Sequence, residues 1–261
     1  MARKPMMAAN WKMNKTVREA QDYTATLLPR AEDAEGVDVA VFTPFTCVGE
    51  VARMAEDSDL ISGAQNFYYE DNGSFTGEVS AEMLKDLGVK AVVVGHSERR
   101  EIFGEDDEMV ARKTAKALEF GMLPVVCVGE TKEERDGGGM WDKVSGQIER
   151  VMDEVKDDIS GDAIVFAYEP IWAIGTGDTA SPDDAQDATG QIRGLLKDLK
   201  GDEFADSVRI LYGGSMKPGN VEEIIAKDDV DGGLVGGASL EVESFIELVQ
   251  AASDNDFPVD E

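Results

Sequence analysis

Eight short apolar, β-branched runs recur along this chain of 261 residues, each followed by a loop and a segment of helical period. They cover residues 6–10, 37–42, 60–64, 91–95, 123–128, 163–168, 208–212 and 232–236. Helical patterns lie between them, at 16–28, 80–87, 107–120, 140–155, 182–200 and 221–226. Ser80 stands where it caps a helix whose first turn holds Glu82, and Gly88 and Gly121 stand where helices stop. Continuous apolar strands alternating with helices imply a parallel sheet covered by helices on the outside. Closed on itself, this α/β arrangement is a single (β/α)8 barrel, and the length suits one such domain over residues 1–261. A doubly wound open sheet is the alternative, but no Gly-x-Gly-x-x-Gly follows the first run. The polar, acidic stretch 253–261 is expected to fray.

In a barrel of this kind every strand's C-terminal end lies on one face, where the chemistry sits. The residues just after each run are therefore the ones to read. Asn10, Trp11 and Lys12 follow the first, and Lys12 there puts a fixed positive charge in the barrel mouth or simply at the surface. After the fourth comes His96, the only histidine, followed by Ser97-Glu98-Arg99-Arg100, which reads as a cap and first helical turn. The positive end of a helix dipole disfavours imidazolium, and a neutral ring can donate a hydrogen bond to a carbonyl. Tyr212-Gly213-Gly214-Ser215 and Val235-Gly236-Gly237-Ala238-Ser239 follow the seventh and eighth runs. Glycines at these two ends let backbone N–H groups approach an oxyanion, although tight turns need them equally.

The sixth run ends at Tyr168-Glu169-Pro170, a carboxylate at the strand's last step followed by a residue that cannot continue the ladder. Ile171-Trp172-Ala173-Ile174 and then Gly175-Thr176-Gly177 complete an apolar loop with restrained ends. A carboxylate on a rigid strand end below such a loop reads as a base under a lid, or as a surface glutamate in an ordinary turn.

Taken together, Asn10-Trp11-Lys12, Gly95 to Arg100, Tyr168 to Gly177, Tyr212 to Ser215 and Gly236-Gly237-Ala238 resemble the triosephosphate isomerase family in order and spacing. The likeness runs from about Met6 to Ala251 and implies a TIM barrel. It also implies interconversion of dihydroxyacetone phosphate and D-glyceraldehyde 3-phosphate, as in glycolysis and gluconeogenesis. By that resemblance Glu169 is the base and His96 the neutral electrophile. Lys12 stabilises the enediolate with Asn10 beside it, and Glu98 orients Lys12. Gly175, Ser215, Gly236 and Gly237 would hold the phosphate. Cys127 reads as a packing residue. The family needs no metal or organic cofactor, and none is expected here. Another sugar-phosphate barrel, or a binding protein without turnover, is the rival reading.

The loop 65–78 after the third run carries four aromatics, Phe67, Tyr68, Tyr69 and Phe75. Exposing them together would be costly, so the loop is expected to bury itself in a partner. It resembles the family's interlocking homodimer loop, with Thr76 reaching toward the neighbour's Asn10 and Lys12. Acidic residues number 54 against 25 basic, a formal charge of −29, which argues against nucleic acid as a partner and suggests a saline cytoplasm. A dianionic substrate would then need a positive island at the barrel mouth, with the acids on the outer helices. The basic start is followed by an apolar run too short for a secretory segment, and no stretch is long enough to span a membrane. With two separated cysteines, Cys47 and Cys127, the chain is expected in a reducing cytoplasm.

Overall fold

The computed structural model describes residues 3–174 and 180–254. Its eight strands are β1 (Met6–Asn10), β2 (Asp38–Thr43), β3 (Ile61–Ala64), β4 (Ala91–Val94), β5 (Leu123–Val128), β6 (Val165–Tyr168), β7 (Arg209–Tyr212) and β8 (Gly232–Val235). They form a closed barrel in sequence order. All pair in parallel, and β1 completes the ring by pairing with both β2 and β8, with Met6 opposite Asp38 and Gly232. That closure rules out the open doubly wound sheet.

Side chains alternate along each strand, so the strands feed two separate apolar layers. Met6, Ala8, Phe42, Val93, Val125, Cys127 and Leu211 fill the barrel interior. Their neighbours Met7, Ala9, Val41, Val92, Val94 and Val126 join the outer layer with helical residues such as Leu27, Val51, Ile148 and Ile192. Burial on both faces explains why the strands read as unbroken apolar runs. Gly63 gives Phe42 its place: a Cβ there would lie 2.4 Å from the Phe42 ring.

Eleven α-helices occur among the described residues. They are α1 (Val17–Asp33), α2 (Phe45–Met54), α3 (Ala81–Asp86), α4 (Ser97–Phe103), α5 (Asp107–Glu119), α6 (Lys132–Asp136), α7 (Met140–Glu154), α8 (Pro182–Lys200), α9 (Asp202–Ser207), α10 (Val221–Ile225) and α11 (Val242–Asp254). Ser80 accepts the Met83 N–H at 3.4 Å and so caps α3. Gly88 and Gly121 take the left-handed conformation just past α3 and α5. The helix α2 has no counterpart among the helical patterns named above. Thr46, Val48 and Gly49 weaken its local preference, and burial of Val48, Val51 and Ala52 on the barrel supplies what propensity does not. Helix α11 runs to Asp254, so the stretch expected to fray begins inside a helix, and its residues 255–261 lie outside the described residues. Among the described residues no helix is long and apolar enough to cross a membrane.

Candidate active site

Strand β4 ends at Val94, and Gly95 turns the chain in a left-handed conformation with φ 70°. The turn puts His96 at the N-cap of α4, where Nδ1 accepts the Glu98 N–H at 3.2 Å. A ring nitrogen that accepts a backbone N–H carries no proton of its own, so the proton of the neutral ring sits on Nε2. That atom lies 3.0 Å from Oε1 of Glu169. Both side chains are buried.

Glu169 comes directly after β6, and its backbone is tied to the neighbouring strand end by an N–H donated to Val128 O at 2.8 Å. Its Oε2 accepts the Ser97 N–H at 2.9 Å and its Oε1 accepts the Ser97 hydroxyl at 3.3 Å. Two glycines leave the room it needs. A Cβ on Gly129 would stand 1.9 Å from the Glu169 carbonyl oxygen, and one on Gly213 would stand 2.9 Å from its Cγ. Inside the barrel, the Cys127 thiol is pushed well up by burial first and by the nearby Glu169 carboxylate second, so it stays protonated.

Lys12 adopts φ 52°, a conformation unusual for a residue with a side chain. It is held there on both sides of its peptide unit. Its N–H donates to Asn10 Oδ1 at 3.1 Å, and its carbonyl accepts Gln65 Nε2 at 3.0 Å. The ammonium meets Glu98 Oε1 at 2.7 Å. The turns after β7 and β8 complete the ring around a cavity of about 320 Å³ lined by Asn10, Lys12, His96, Glu169, Ser215, Gly236 and Gly237. Its charged lining is Lys12, Lys217 and Glu169. Eight of the nine candidate residues thus meet at one place: seven line the cavity and Glu98 stands behind Lys12. Gly175, with Thr176 and Gly177, lies outside the described residues.

The start of the loop after β6 is anchored by a residue that follows the fifth strand, which is not among the strand ends singled out from the sequence. Glu130 stands two residues beyond β5, fully buried. Its Oε1 accepts the Tyr168 hydroxyl at 3.0 Å and Trp172 Nε1 at 2.9 Å, while Arg135 lies 3.2 Å away. Arg135 also stacks 4.8 Å from the Trp172 ring centre and pairs with Asp184 at 2.6 Å, just beyond the far end of the same loop. On the cavity side Ser215 donates its hydroxyl to Ala173 O at 2.9 Å. The sequence presents Ser97 only as part of a helix start, and its contact with Glu169 spans 72 residues. Only closure of the barrel reveals that contact.

A second hollow of about 290 Å³ shares Asn10, Lys12 and His96 with the first, takes in Glu98, and runs outward over Met13, Phe45 and Phe103. All three apolar side chains are exposed, Met13 by 95%. The loop 65–78 is less apolar outside than its composition suggested. Phe67 is fully buried in its own barrel core, while Tyr68 stacks on Tyr69 at 4.3 Å and meets Phe75 at 4.6 Å. Residues 71–78 are exposed throughout.

The model of one protein family, triosephosphate isomerase, matches residues 5–252. A triosephosphate isomerase of Rubrobacter xylanophilus is 68% identical over 96% of this chain and 98% of its own length. That of Carboxydothermus hydrogenoformans is 50% identical over 96% and 99%, and that of Chloroflexus aurantiacus 49% over 94% and 98%. A (β/α)8 barrel with its candidate residues at the strand ends, together with near full-length identity at these levels, leads to one conclusion: the chain belongs to the triosephosphate isomerase family.

Proposed function

We propose that this chain interconverts D-glyceraldehyde 3-phosphate and dihydroxyacetone phosphate, with Glu169 as the base. The observation that carries the reading is the meeting of Glu169 Oε1 and His96 Nε2 at 3.0 Å in a cavity that also holds Lys12. Glu169 removes the proton from C2 of the aldose and returns it to C1, which leaves the ketose. A carboxylate is far too weak to do this unless the enediolate is stabilised as it forms. His96 Nε2–H and the Lys12 ammonium face that developing charge, and in the bound state the substrate oxygen takes the Nε2–H that Glu169 accepts here. One further proton must pass from the C2 hydroxyl to the C1 oxygen, within reach of the same ring.

The dianionic phosphate sits against the backbone N–H groups of Gly236 and Gly237 and the Ser215 hydroxyl, with Gly175 added from the loop. The Ser215 hydroxyl exchanges Ala173 O for the phosphate as that loop closes. Asn10 holds the Lys12 backbone, and Glu98 fixes the direction of the ammonium. Closure excludes water, which strengthens every charge interaction within and keeps the enediolate from losing its phosphate.

The protein works as a homodimer in which residues 71–78 of one protomer enter the second hollow of the other, with Thr76 of the partner subunit beside Asn10 and Lys12. Exposed Met13, Phe45 and Phe103 around that hollow support this. Two buried free thiols, Cys47 and Cys127, fit a reducing cytoplasm, where the reaction serves glycolysis and gluconeogenesis.

A coupled assay on the triose phosphates tests the activity. Glu169→Gln should lower kcat by about 10²–10⁴ with the circular dichroism spectrum unchanged. Full activity in that variant would remove Glu169 as the base, and an inactive parent would remove the isomerase reading.

A further inference from the structure

Among the described residues only two non-glycine positions have positive φ, Lys12 at 52° and Lys15 at 76°, and both lie in the one loop that leaves β1. A left-handed lysine persists only where its surroundings hold it. For Lys15 the surroundings are visible. Its ammonium donates to Leu240 O at 2.8 Å and lies 4.6 Å from the Tyr23 ring centre and 5.3 Å from that of Trp11. Tyr23, packed edge-on against Trp11 at 4.9 Å, donates its hydroxyl to Ser239 O at 2.7 Å. Two donors from the β1–α1 side therefore grip two successive carbonyls, 239 and 240.

Those carbonyls end the short turn Gly237–Ser239. The turn is internally tight. Ser239 N–H donates to Gly236 O at 2.9 Å, Leu240 N–H to Gly237 O at 3.1 Å, and the Ser239 hydroxyl reaches both Val235 O and Gly236 O. A displacement at Leu240 is passed on to Gly236 and Gly237. The stem of Lys12 packs over the same turn, its Cε 3.2 Å from where a Cβ of Gly236 would stand. Lys15 itself does not line the cavity.

We propose that Lys15 is a positioning residue for the phosphate. It ties the loop bearing Lys12 to the turn bearing Gly236 and Gly237, and so sets the distance between the enediolate-stabilising ammonium and the phosphate-binding N–H groups. This rests on the assignment of Gly236 and Gly237 to the phosphate made above. The ammonium contributes through geometry: it neutralises no group in the cavity, and the left-handed backbone strain is accepted where glycine would relieve it.

Three variants separate positioning from plain stability. Lys15→Gly relieves the positive φ but removes the grip, Lys15→Met keeps the stem without the donor, and Lys15→Arg keeps charge and donor. The readouts are KM and kcat for the triose phosphates, the competitive Ki of inorganic phosphate, and the thermal midpoint. The expected result is a rise of about three- to tenfold in KM and in the phosphate Ki for the Gly and Met variants, with kcat falling far less. Lys15→Arg should recover most of the affinity, and Lys15→Gly should melt no lower than the parent. A phosphate Ki within twofold of the parent in both the Gly and Met variants would overturn the proposal. So would a loss of affinity that follows the melting temperature and is not recovered by Arg. A parent with neither turnover nor inhibition by phosphate would instead overturn the functional reading, and the role of Lys15 with it.

Discussion

At the scale of single residues, the site depends as much on what is missing as on what is present. Gly213 donates its N–H to Tyr168 O at 2.7 Å and leaves its Cβ position empty against Glu169 Cγ. Gly213→Ala would place a methyl 2.9 Å from that Cγ and 3.0 Å from Tyr168 O, so the carboxylate must move. We expect kcat to fall by about 10- to 100-fold, because a shift of about an ångström in a reacting group costs rates of that order. Steady-state assays of the folded variant check this, and a kcat within twofold of the parent would show that the base has slack. Glu169, His96 and Lys12 were legible in the sequence because each follows a recognisable strand. The need for glycine at 129 and 213 was not. Both follow strand ends, but the atoms they must avoid belong to Tyr168 and Glu169, at the end of a different strand.

At the scale of elements, two loops carry the rest. The start of the loop after β6 is fixed to Glu130 and Arg135, and Arg135 reaches on to Asp184 at 2.6 Å in the first turn of α8. Its two ends therefore share one anchor. The Ser181 hydrogen bond holds the Asp184 carboxyl below its usual range, with Arg135 adding to the effect, so Asp184 keeps its charge into mild acid. The loop after β3 is divided. Phe67 belongs to its own barrel core, and residues 71–78 stand out from it. Composition could not separate the two parts, since four aromatics in fourteen residues look alike until one of them finds the core. The exposed part supplies the prediction at this scale. Phe103 is 66% exposed at the second hollow, and Phe103→Glu puts a charge where the proposed dimer would seat the partner's loop. On a sizing column the parent should elute at twice the chain mass and the variant near the chain mass, with reduced isomerase activity. A parent that elutes as a monomer would remove the dimer.

At the scale of the whole molecule, the formal charge of −29 and the chemistry pull in opposite directions. A dianion must approach a surface that repels it, yet the cavity is lined by two lysines and one carboxylate, and Glu98 offsets Lys12. Lys217 is the exposed positive charge at the turn after β7. Self-repulsion among the outer acids weakens the folded state at low ionic strength, where the Debye length is on the order of 30 Å at 0.01 M and 3 Å at 1 M. Unfolding midpoints should therefore rise between low and molar KCl. A flat or falling midpoint would mean that the surface ion pairs already balance the excess.

The sequence by itself marked out the barrel and the candidate residues of its site. Eight apolar runs alternating with helical segments point to a parallel α/β sheet, and once that sheet closes, strand ends on one face make Asn10, Lys12, His96, Glu169, Ser215, Gly236 and Gly237 neighbours. Tertiary structure decided how those neighbours are held. Ser97 on Glu169, Glu130 under Trp172, and Lys15 on Leu240 are contacts across 72, 42 and 225 residues. Their distances depend on how the barrel closes. Periodicity along the chain carries the identity of each strand and helix, but the approach of one loop to another is set only when all eight strands have paired.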